Sequence, residues 1–300
     1  MPRQRIAAID CGTNSIRLLI TDLSDQQHDL VREMRIVRLG QGVDATGRLD
    51  RAAIDRTLQA TREYAELITT LGADVVRFCA TSAARDAENA DEFSAEVESV
   101  LGIRPQVLTG EEEAAASFLG ATRSLAGGRA LVADIGGGST ELVVGQDGTV
   151  EWSTSLDIGS VRLTERFLPS DPPGVTELTD CMTYLDGVLK PALDGLAAVD
   201  TMVGVAGTVT TVAAHALELP SYDRDALHGA RLDVDVLRNA CISLAQMSVA
   251  DRRALPFMHP GRADVIGGGA LILDRLLDHV DIGSVLVSEH DILDGIAWTA

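Results

Sequence analysis

Residues 132–144 read VADIGGGSTELVV. An apolar run enters Asp134, the glycines Gly136, Gly137 and Gly138 follow, then Ser139, Thr140 and Glu141, and a second apolar run leaves. An apolar segment, a glycine-rich turn and another apolar segment predict a β-hairpin. Glycines at the tip carry no Cβ, so a bound group can reach the backbone N–H donors, and left-handed backbone is accessible there. The turn is therefore shaped to hold a phosphate. Taken by itself, a GGG tripeptide fits a plain mobile hairpin better, so its company in the chain decides.

That company begins with a second copy. Residues 5–22, RIAAIDCGTNSIRLLITD, give the same order of apolar run, turn and apolar run at an offset of 124 residues. Asp10 matches Asp134, Gly12 matches Gly136, Ser15 matches Ser139, and Leu18 to Ile20 match Leu142 to Val144. The shared pattern D-x-G-x-x-S predicts a duplicated domain in which each copy presents a phosphate-binding turn.

Each copy continues comparably. In the first, 31–39 is a predicted strand, Asp50 N-caps a helix over 51–71, and 74–80 is a strand. The turn TSAARDA (81–87), a helix over 87–101, a short strand at 105–108 and a helix opening at TGEEEA (109–114) and running to about 124 follow. Residues 126–128 are the predicted boundary. In the second copy, strands at 129–135, 140–146 and 149–156 precede helices at 160–167 and 176–196 and a buried strand at 201–205. Residues 207–211, GTVTT, lead into a helix, so Gly207 and Thr208 stand at an N-terminus where a phosphate or sugar edge can lie. Helices at 234–247 and 263–279, a strand at 284–288 and a helix at 291–298 close the chain. Strands alternate with helices throughout, which predicts an α/β class with two similar lobes, 1–126 and 127–300, and a ligand-binding cleft between them.

Charge narrows the function. With 25 Lys+Arg against 45 Asp+Glu, the formal net charge is −20, which argues against nucleic acid and anionic membranes as partners. It also makes a phosphate site depend on local compensation by backbone N–H groups, arginines or a divalent cation. Lys190 is the only lysine, so the Gly-Lys-Ser/Thr of a P-loop is absent. No apolar run is long enough to span a bilayer and no signal peptide is legible, which predicts a cytoplasmic protein. Cys11, Cys79, Cys181 and Cys241 form no CxxC pair and read as reduced, packed thiols.

Asp10 and Asp134 each end a strand at the mouth of a turn, and Glu141 leaves the second turn. Such carboxylates suit Mg²⁺, held largely through water. Each Asp taken singly also fits an ordinary turn acceptor, and the duplication favours the metal reading. The run Thr109 to Glu113 satisfies a capping box with Thr109 at N-cap and Glu112 at N3, worth about 0.5–2 kcal/mol, so stability alone accounts for it. The other reading is that one of its acids orients a water for attack on phosphorus. Arg85, just after a strand, and Arg17, beside the first turn, can each grip a phosphate, with Arg262 a third and weaker candidate. His228 and His259 are read as surface or packing.

The blocks AIDCGTNSIRLLI, ATSAARDAEN, TGEEEA, DIGGGSTEL, GVAGTVTT and RADVIGGG occur in this order. Together they resemble the exopolyphosphatase and guanosine pentaphosphate phosphohydrolase family, of the actin, sugar kinase and heat-shock chaperone ATPase superfamily with its ribonuclease H-like lobes. The resemblance implies water attack on the terminal phosphate of inorganic polyphosphate or guanosine pentaphosphate, a link to the stringent response, and Mg²⁺ as cofactor with Mn²⁺ as a substitute. It puts the general base on Glu112, a phosphate-gripping arginine on Arg85, and metal on Asp134 and Glu141 with Asp10. The phosphate-contacting turns fall on Thr13, Asn14, Ser15 and Arg17, and on Gly136, Gly137, Gly138 and Ser139, beside Gly207 and Thr208. Two departures accompany it. The family's final S-x-x-G-x-R-x-G block has Asp291 and Leu293 here in place of its glycine and arginine, and the helical domain of longer members is not seen before Ala300. Short chains are therefore the expected substrate, and a homodimer is allowed for. The rival readings are guanosine pentaphosphate hydrolysis, an ATP-dependent kinase and an actin-like filament protein.

Overall fold

Residues 6–11 and 18–22 are buried along their whole length, as strands in a sheet covered on both faces are. In the computed structural model, which describes residues 4–23, 28–123 and 127–300, these are β1 (Arg5–Cys11) and β2 (Ser15–Asp22). With β3 (His28–Ile36), β4 (Val75–Ala80) and β5 (Gln106–Val107) they form a sheet of order β3-β2-β1-β4-β5. The first three strands run antiparallel, and β4 and β5 join parallel. The helices are α1 (Val43–Thr46), α2 (Arg51–Leu71), α3 (Ser82–Arg85), α4 (Ala90–Leu101) and α5 (Gly110–Thr122). Asp50 caps α2 by accepting from Ala52 N and Ala53 N. Ile54, Leu58, Tyr64 and Ile68 of α2 enter the core, where Tyr64 donates its hydroxyl to Ile16 O at 3.1 Å.

The second unit repeats this plan and extends it. Its strands are β6 (Arg129–Ile135), β7 (Thr140–Gln146), β8 (Thr149–Leu156), β9 (Thr201–Val205), β10 (Arg231–Asp233) and β11 (Ser284–Val287). They are ordered β10-β11-β9-β6-β7-β8, again with an antiparallel three-strand opening and a parallel β6-β9 pair. The helices are α6 (Ser160–Phe167), α7 (Val175–Leu193), α8 (Ala206–Ala216), α9 (Arg224–Leu227), α10 (Val234–Gln246), α11 (Val249–Ala254) and α12 (Ile266–His279). The duplication extends to single bonds. Arg5 N donates to Asp74 Oδ2 and Asp74 N to Arg5 O, both at 2.8 Å, and Arg129 and Asp200 make the same two bonds at the same length.

The last helix departs from the sequence expectation. By contacts the chain divides into Met1–Gly120 with Ile292–Ala300, and Ala121–Asp291. The helix α13 (Ile292–Trp298), expected in the second lobe, packs on the first sheet, where Ile292, Leu293 and Ile296 join Ile6, Ala8 and Leu19 in one apolar cluster. Leu293, in the place of the family arginine, is thus a core residue. The predicted boundary residue Ala126 and the expected end of α5 at 124 lie outside the described residues. All four cysteines are free and buried, and burial pushes the Cys79 and Cys181 thiols up to about 12, as packed thiols require. Among the described residues no helix is long and apolar enough to cross a membrane.

Candidate functional site

In the first unit the turn between β1 and β2 closes through Gly12 N donating to Ser15 O at 2.9 Å. Its carbonyls are taken from one side: Gly40 N donates to Thr13 O, and Val37 N and Arg38 N both donate to Asn14 O. Thr13 is buried, with its hydroxyl 2.9 Å from that of Ser82 at the start of α3. Asp10 and Arg17, assigned from the sequence to metal and to phosphate, are cross-strand partners. Arg17 donates through Nε and a terminal nitrogen to one Asp10 oxygen at 2.9 and 2.6 Å. The Asp10 carboxylate is neutralised within its own hairpin, as its place opposite an arginine dictates.

The acidic run of the same unit divides its work. Glu112 forms the capping box read from the sequence: Thr109 N donates to Glu112 Oε2 at 2.8 Å, and Glu112 N to Thr109 Oγ1 at 3.2 Å. Its side chain is exposed and its cap uses one carboxylate oxygen. Glu113 turns inward, and Arg85 donates to it at 2.9 Å and to Leu108 O at 3.1 Å. Arg85 thus ends α3 with its guanidinium braced against the start of α5. Local sequence does not reveal this pairing, because 28 residues separate the partners.

In the second unit Gly136 N donates to Ser139 O at 3.0 Å and closes the GGG turn. Every glycine carbonyl of the turn then accepts from the start of α6. Ser160 N donates to Gly136 O, Val161 N and Arg162 N to Gly137 O, and Arg162 Nε to Gly138 O at 2.8 Å. The approach is so close that a Cβ on Gly159 would stand 2.4 Å from Gly137 C and O. Among the described residues the amides of Gly137 and Gly138 show no bond to a backbone acceptor outside regular helices and strands. The glycine turn is thus held by the helix expected at 160–167, through contacts that local sequence does not announce. Arg162 and Ser160 are therefore site residues that sequence reasoning missed.

Asp134 and Glu141 face each other across β6 and β7, and both are buried. Ser155 Oγ donates to Glu141 Oε1 at 2.7 Å. Two carboxylates side by side repel, and a cation between them would offset that repulsion. Their chemistry fits Mg²⁺, which takes oxygen donors, keeps several waters and is commonly held by one or two carboxylates plus phosphate. Among the described residues no group of three or more His, Cys, Asp or Glu side chains clusters as a metal site.

Beyond β9 the chain turns sharply into α8. Ala206 carries φ +65°, a conformation that costs a non-glycine residue about 1–3 kcal/mol. Gly207 follows, and Arg262 lies directly on it: a Cβ there would stand 2.3 Å from the guanidinium carbon. A terminal nitrogen of Arg262 donates to Gly207 O and Thr211 Oγ1, each at 3.4 Å. The weakest of the three arginine candidates is thus the one seated on the α8 N-terminus. Gly269 of α12 packs on Thr208 so tightly that a Cβ would be 2.7 Å from its hydroxyl, which explains the glycines of the RADVIGGG block as contact residues. The structure gathers Thr13, Ser82, Asp10 and Arg17 in one unit, and Asp134, Glu141 and the glycine cradle in the other.

Residues 19–298 match the model of the Ppx/GppA phosphatase family. The chain is 50% identical over 315 residues to Exopolyphosphatase 2 of Mycobacterium tuberculosis, covering 99% of this chain and 98% of that protein. A crystal structure of an exopolyphosphatase-like protein superposes with a TM-score of 0.94 at 42% identity, covering 100% of this chain and 98% of that one. The Ppx/GppA family member of Aquifex aeolicus superposes with a TM-score of 0.84 at 34% identity over 98% of this chain and 96% of its own. The two-sheet α/β fold is therefore that of these solved phosphatases, and the chain belongs to the Ppx/GppA phosphatase family.

Proposed function

We propose that the protein is an exopolyphosphatase, releasing the terminal phosphate of short inorganic polyphosphate by attack of water. The observation that carries this reading is the buried Asp134–Glu141 pair beside the glycine turn, in a chain of this family. Glu112 takes the proton of the attacking water through its carboxylate, while its capping bond to Thr109 N holds the side chain in place. Arg85, braced by Glu113, offers a preoriented guanidinium to a phosphate. In each unit the turn amides accept anionic oxygens: Thr13, Asn14 and Ser15 with Arg17 in the first, Gly136 to Ser139 in the second, with Gly207 and Thr208 at the α8 N-terminus beside Arg262.

Asp134 and Glu141 would hold Mg²⁺, which when bound neutralises charge on the phosphate oxygens. Asp10 serves this arrangement by orienting Arg17, to which it is bonded. The same reading keeps the protein in the cytoplasm, off membranes and nucleic acids, with inorganic polyphosphate or guanosine pentaphosphate as ligand, a place in the stringent response, and room for pairing with a second copy.

The test is phosphate release from polyphosphates of graded length and from guanosine pentaphosphate, each with and without Mg²⁺. Release from short polyphosphate that stops on chelation supports the reading. Exclusive release from guanosine pentaphosphate moves the function to the family's other named activity, and no release from either overturns it.

A further inference from the structure

The hairpin pairing that sets Asp134 beside Glu141 continues one strand further. Glu141 stands opposite Ser155 of β8, so Asp134, Glu141 and Ser155 form one row across β6, β7 and β8. The first unit has the same row across β1, β2 and β3, filled by Asp10, Arg17 and Met34. The two rows are equivalent, because both three-strand ladders shift register at matching points, between Ile20 and Thr21 in one and between Val144 and Gly145 in the other. The third place changes with the second. Where the middle residue is an arginine its outer neighbour is an apolar methionine, and where it is a glutamate the outer neighbour is a serine, whose Oγ donates to Glu141 Oε1 at 2.7 Å. That length is the one expected of a hydroxyl on an ionised carboxylate.

Strand alternation separates this row from the core. Leu142 and Val144 of β7 belong to the apolar core of the second unit and Trp152 and Leu156 of β8 pack against it, so Glu141, Ser153 and Ser155 lie on the other face. The register of β8 is held without Ser155: the buried Thr140 donates its hydroxyl to Ile158 O at 2.7 Å and ties the ends of β7 and β8 together beside the row. What the Ser155 hydroxyl does is hold a carboxylate. A glutamate side chain turns about several bonds, the last of them with only a shallow preference, and a bond to one oxygen restricts that freedom. A metal ligand fixed before the ion arrives binds it more tightly, since less ordering is left for the binding step.

We propose that Ser155 is a positioning residue of the metal site, holding the Glu141 carboxylate in the orientation in which it joins Asp134 in binding Mg²⁺, and setting affinity for the ion rather than the rate of cleavage. The proposal rests on the reading above in which Asp134 and Glu141 hold Mg²⁺. It is tested in the full chain with Ser155→Ala, Ser155→Cys and Ser155→Thr. Ser153→Ala, opposite Val143 on the same face, is the control, and Glu141→Gln checks the metal reading itself. Two measurements are made on each: the rise of Tm with Mg²⁺ concentration in the absence of polyphosphate, and phosphate release from short polyphosphate as a function of Mg²⁺.

Ser155→Ala is expected to move the midpoint of the Tm rise to about 10- to 100-fold higher Mg²⁺, the usual loss on removing a group that orients a metal ligand, with the metal-free Tm unchanged. Its kcat should return to within about threefold of wild type once Mg²⁺ is raised in proportion. A thiol is a weak donor, so Ser155→Cys should follow Ser155→Ala, whereas Ser155→Thr keeps the hydroxyl and should restore the midpoint. An unmoved midpoint in folded Ser155→Ala overturns the proposal, as does an equal loss in Ser155→Thr or Ser153→Ala, or a kcat that added Mg²⁺ does not recover. Should Ser155→Ala fail to fold, Ser155→Cys carries the test by the same outcomes. If the wild-type chain shows no Tm rise, or Glu141→Gln keeps the full one, the metal reading fails and the proposal with it. A rise lost in Glu141→Gln beside an unmoved midpoint in Ser155→Ala removes the role of Ser155 alone.

Discussion

Asp134 and Glu141 are buried cross-strand neighbours at the mouth of the second glycine turn, where the first unit has the ion pair of Asp10 with Arg17. One duplicated hairpin therefore sets an acid opposite an arginine in one copy and an acid opposite an acid in the other. Two unit charges about 5 Å apart repel by about 3 kcal/mol at an effective dielectric near ~20, a repulsion that a cation bound between them would offset. Mg²⁺ at about 100 times its dissociation constant is expected to stabilise the wild-type chain by about 2.7 kcal/mol, seen as a rise in Tm of several degrees. Glu141→Gln should lose that rise while being at least as stable as wild type without metal. A full Mg²⁺ shift in Glu141→Gln would remove this pair from the metal site.

The two jobs given to Glu112 separate by substitution. Glutamine still serves a capping box, so Glu112→Gln should keep α5 and its Tm while lowering phosphate release about 10²- to 10⁴-fold, the usual loss on removing a positioned base. Thr109→Ala does the converse: it removes the acceptor of Glu112 N, costs about 0.5–2 kcal/mol in denaturant unfolding, and leaves most of the activity. If Glu112→Gln keeps near-wild-type kcat, the residue is only a cap.

How far the sequence could be read follows from the range of the forces involved. The β6-β7-β8 opening, the α2 cap at Asp50 and the Thr109–Glu112 box were legible because each depends on neighbours a few residues apart. The duplication made both turns legible, because a repeat at fixed offset needs no knowledge of packing. What escaped lies across the fold. Arg162 reaches back 24 residues to Gly138, Arg262 lies on Gly207 from 55 residues away, and α13 returns to the first sheet from the far end of the chain. Apolar periodicity in 292–298 predicts a helix, but nothing local says which sheet will bury it.

Gly159 and Gly207 should respond oppositely to a methyl group. A Cβ on Gly159 meets backbone, Gly137 C and O at 2.4 Å, and backbone cannot step aside. Gly159→Ala is expected to push α6 off the turn, costing about 1–3 kcal/mol or more and abolishing activity. A Cβ on Gly207 meets the Arg262 guanidinium, the mobile end of a side chain. Gly207→Ala should therefore displace Arg262 with little change in Tm and a clear loss of phosphate release. Equal loss of stability in the two variants would contradict this difference.

The return of α13 to the first unit rests on a buried ion pair and one glycine contact. Arg32 donates to both oxygens of Asp294, at 3.1 and 2.5 Å, and Asp294 is fully buried. Arg32→Ala strips a buried carboxylate of a bidentate partner and should destabilise the chain by about 3–5 kcal/mol. The double variant Arg32→Met with Asp294→Leu replaces the pair by apolar bulk and is expected to recover much of that loss, because desolvation of both charges is then avoided. Gly295 allows the helix to lie on Ala116, whose carbonyl oxygen would be 1.9 Å from an added Cβ. Gly295→Ala should accordingly lift α13 from the sheet and expose Leu293 and Ile296, read as faster hydrogen exchange in β1 and as new binding of a hydrophobic dye. If exchange in β1 is unchanged in that variant, α13 is not what covers this face of the first sheet.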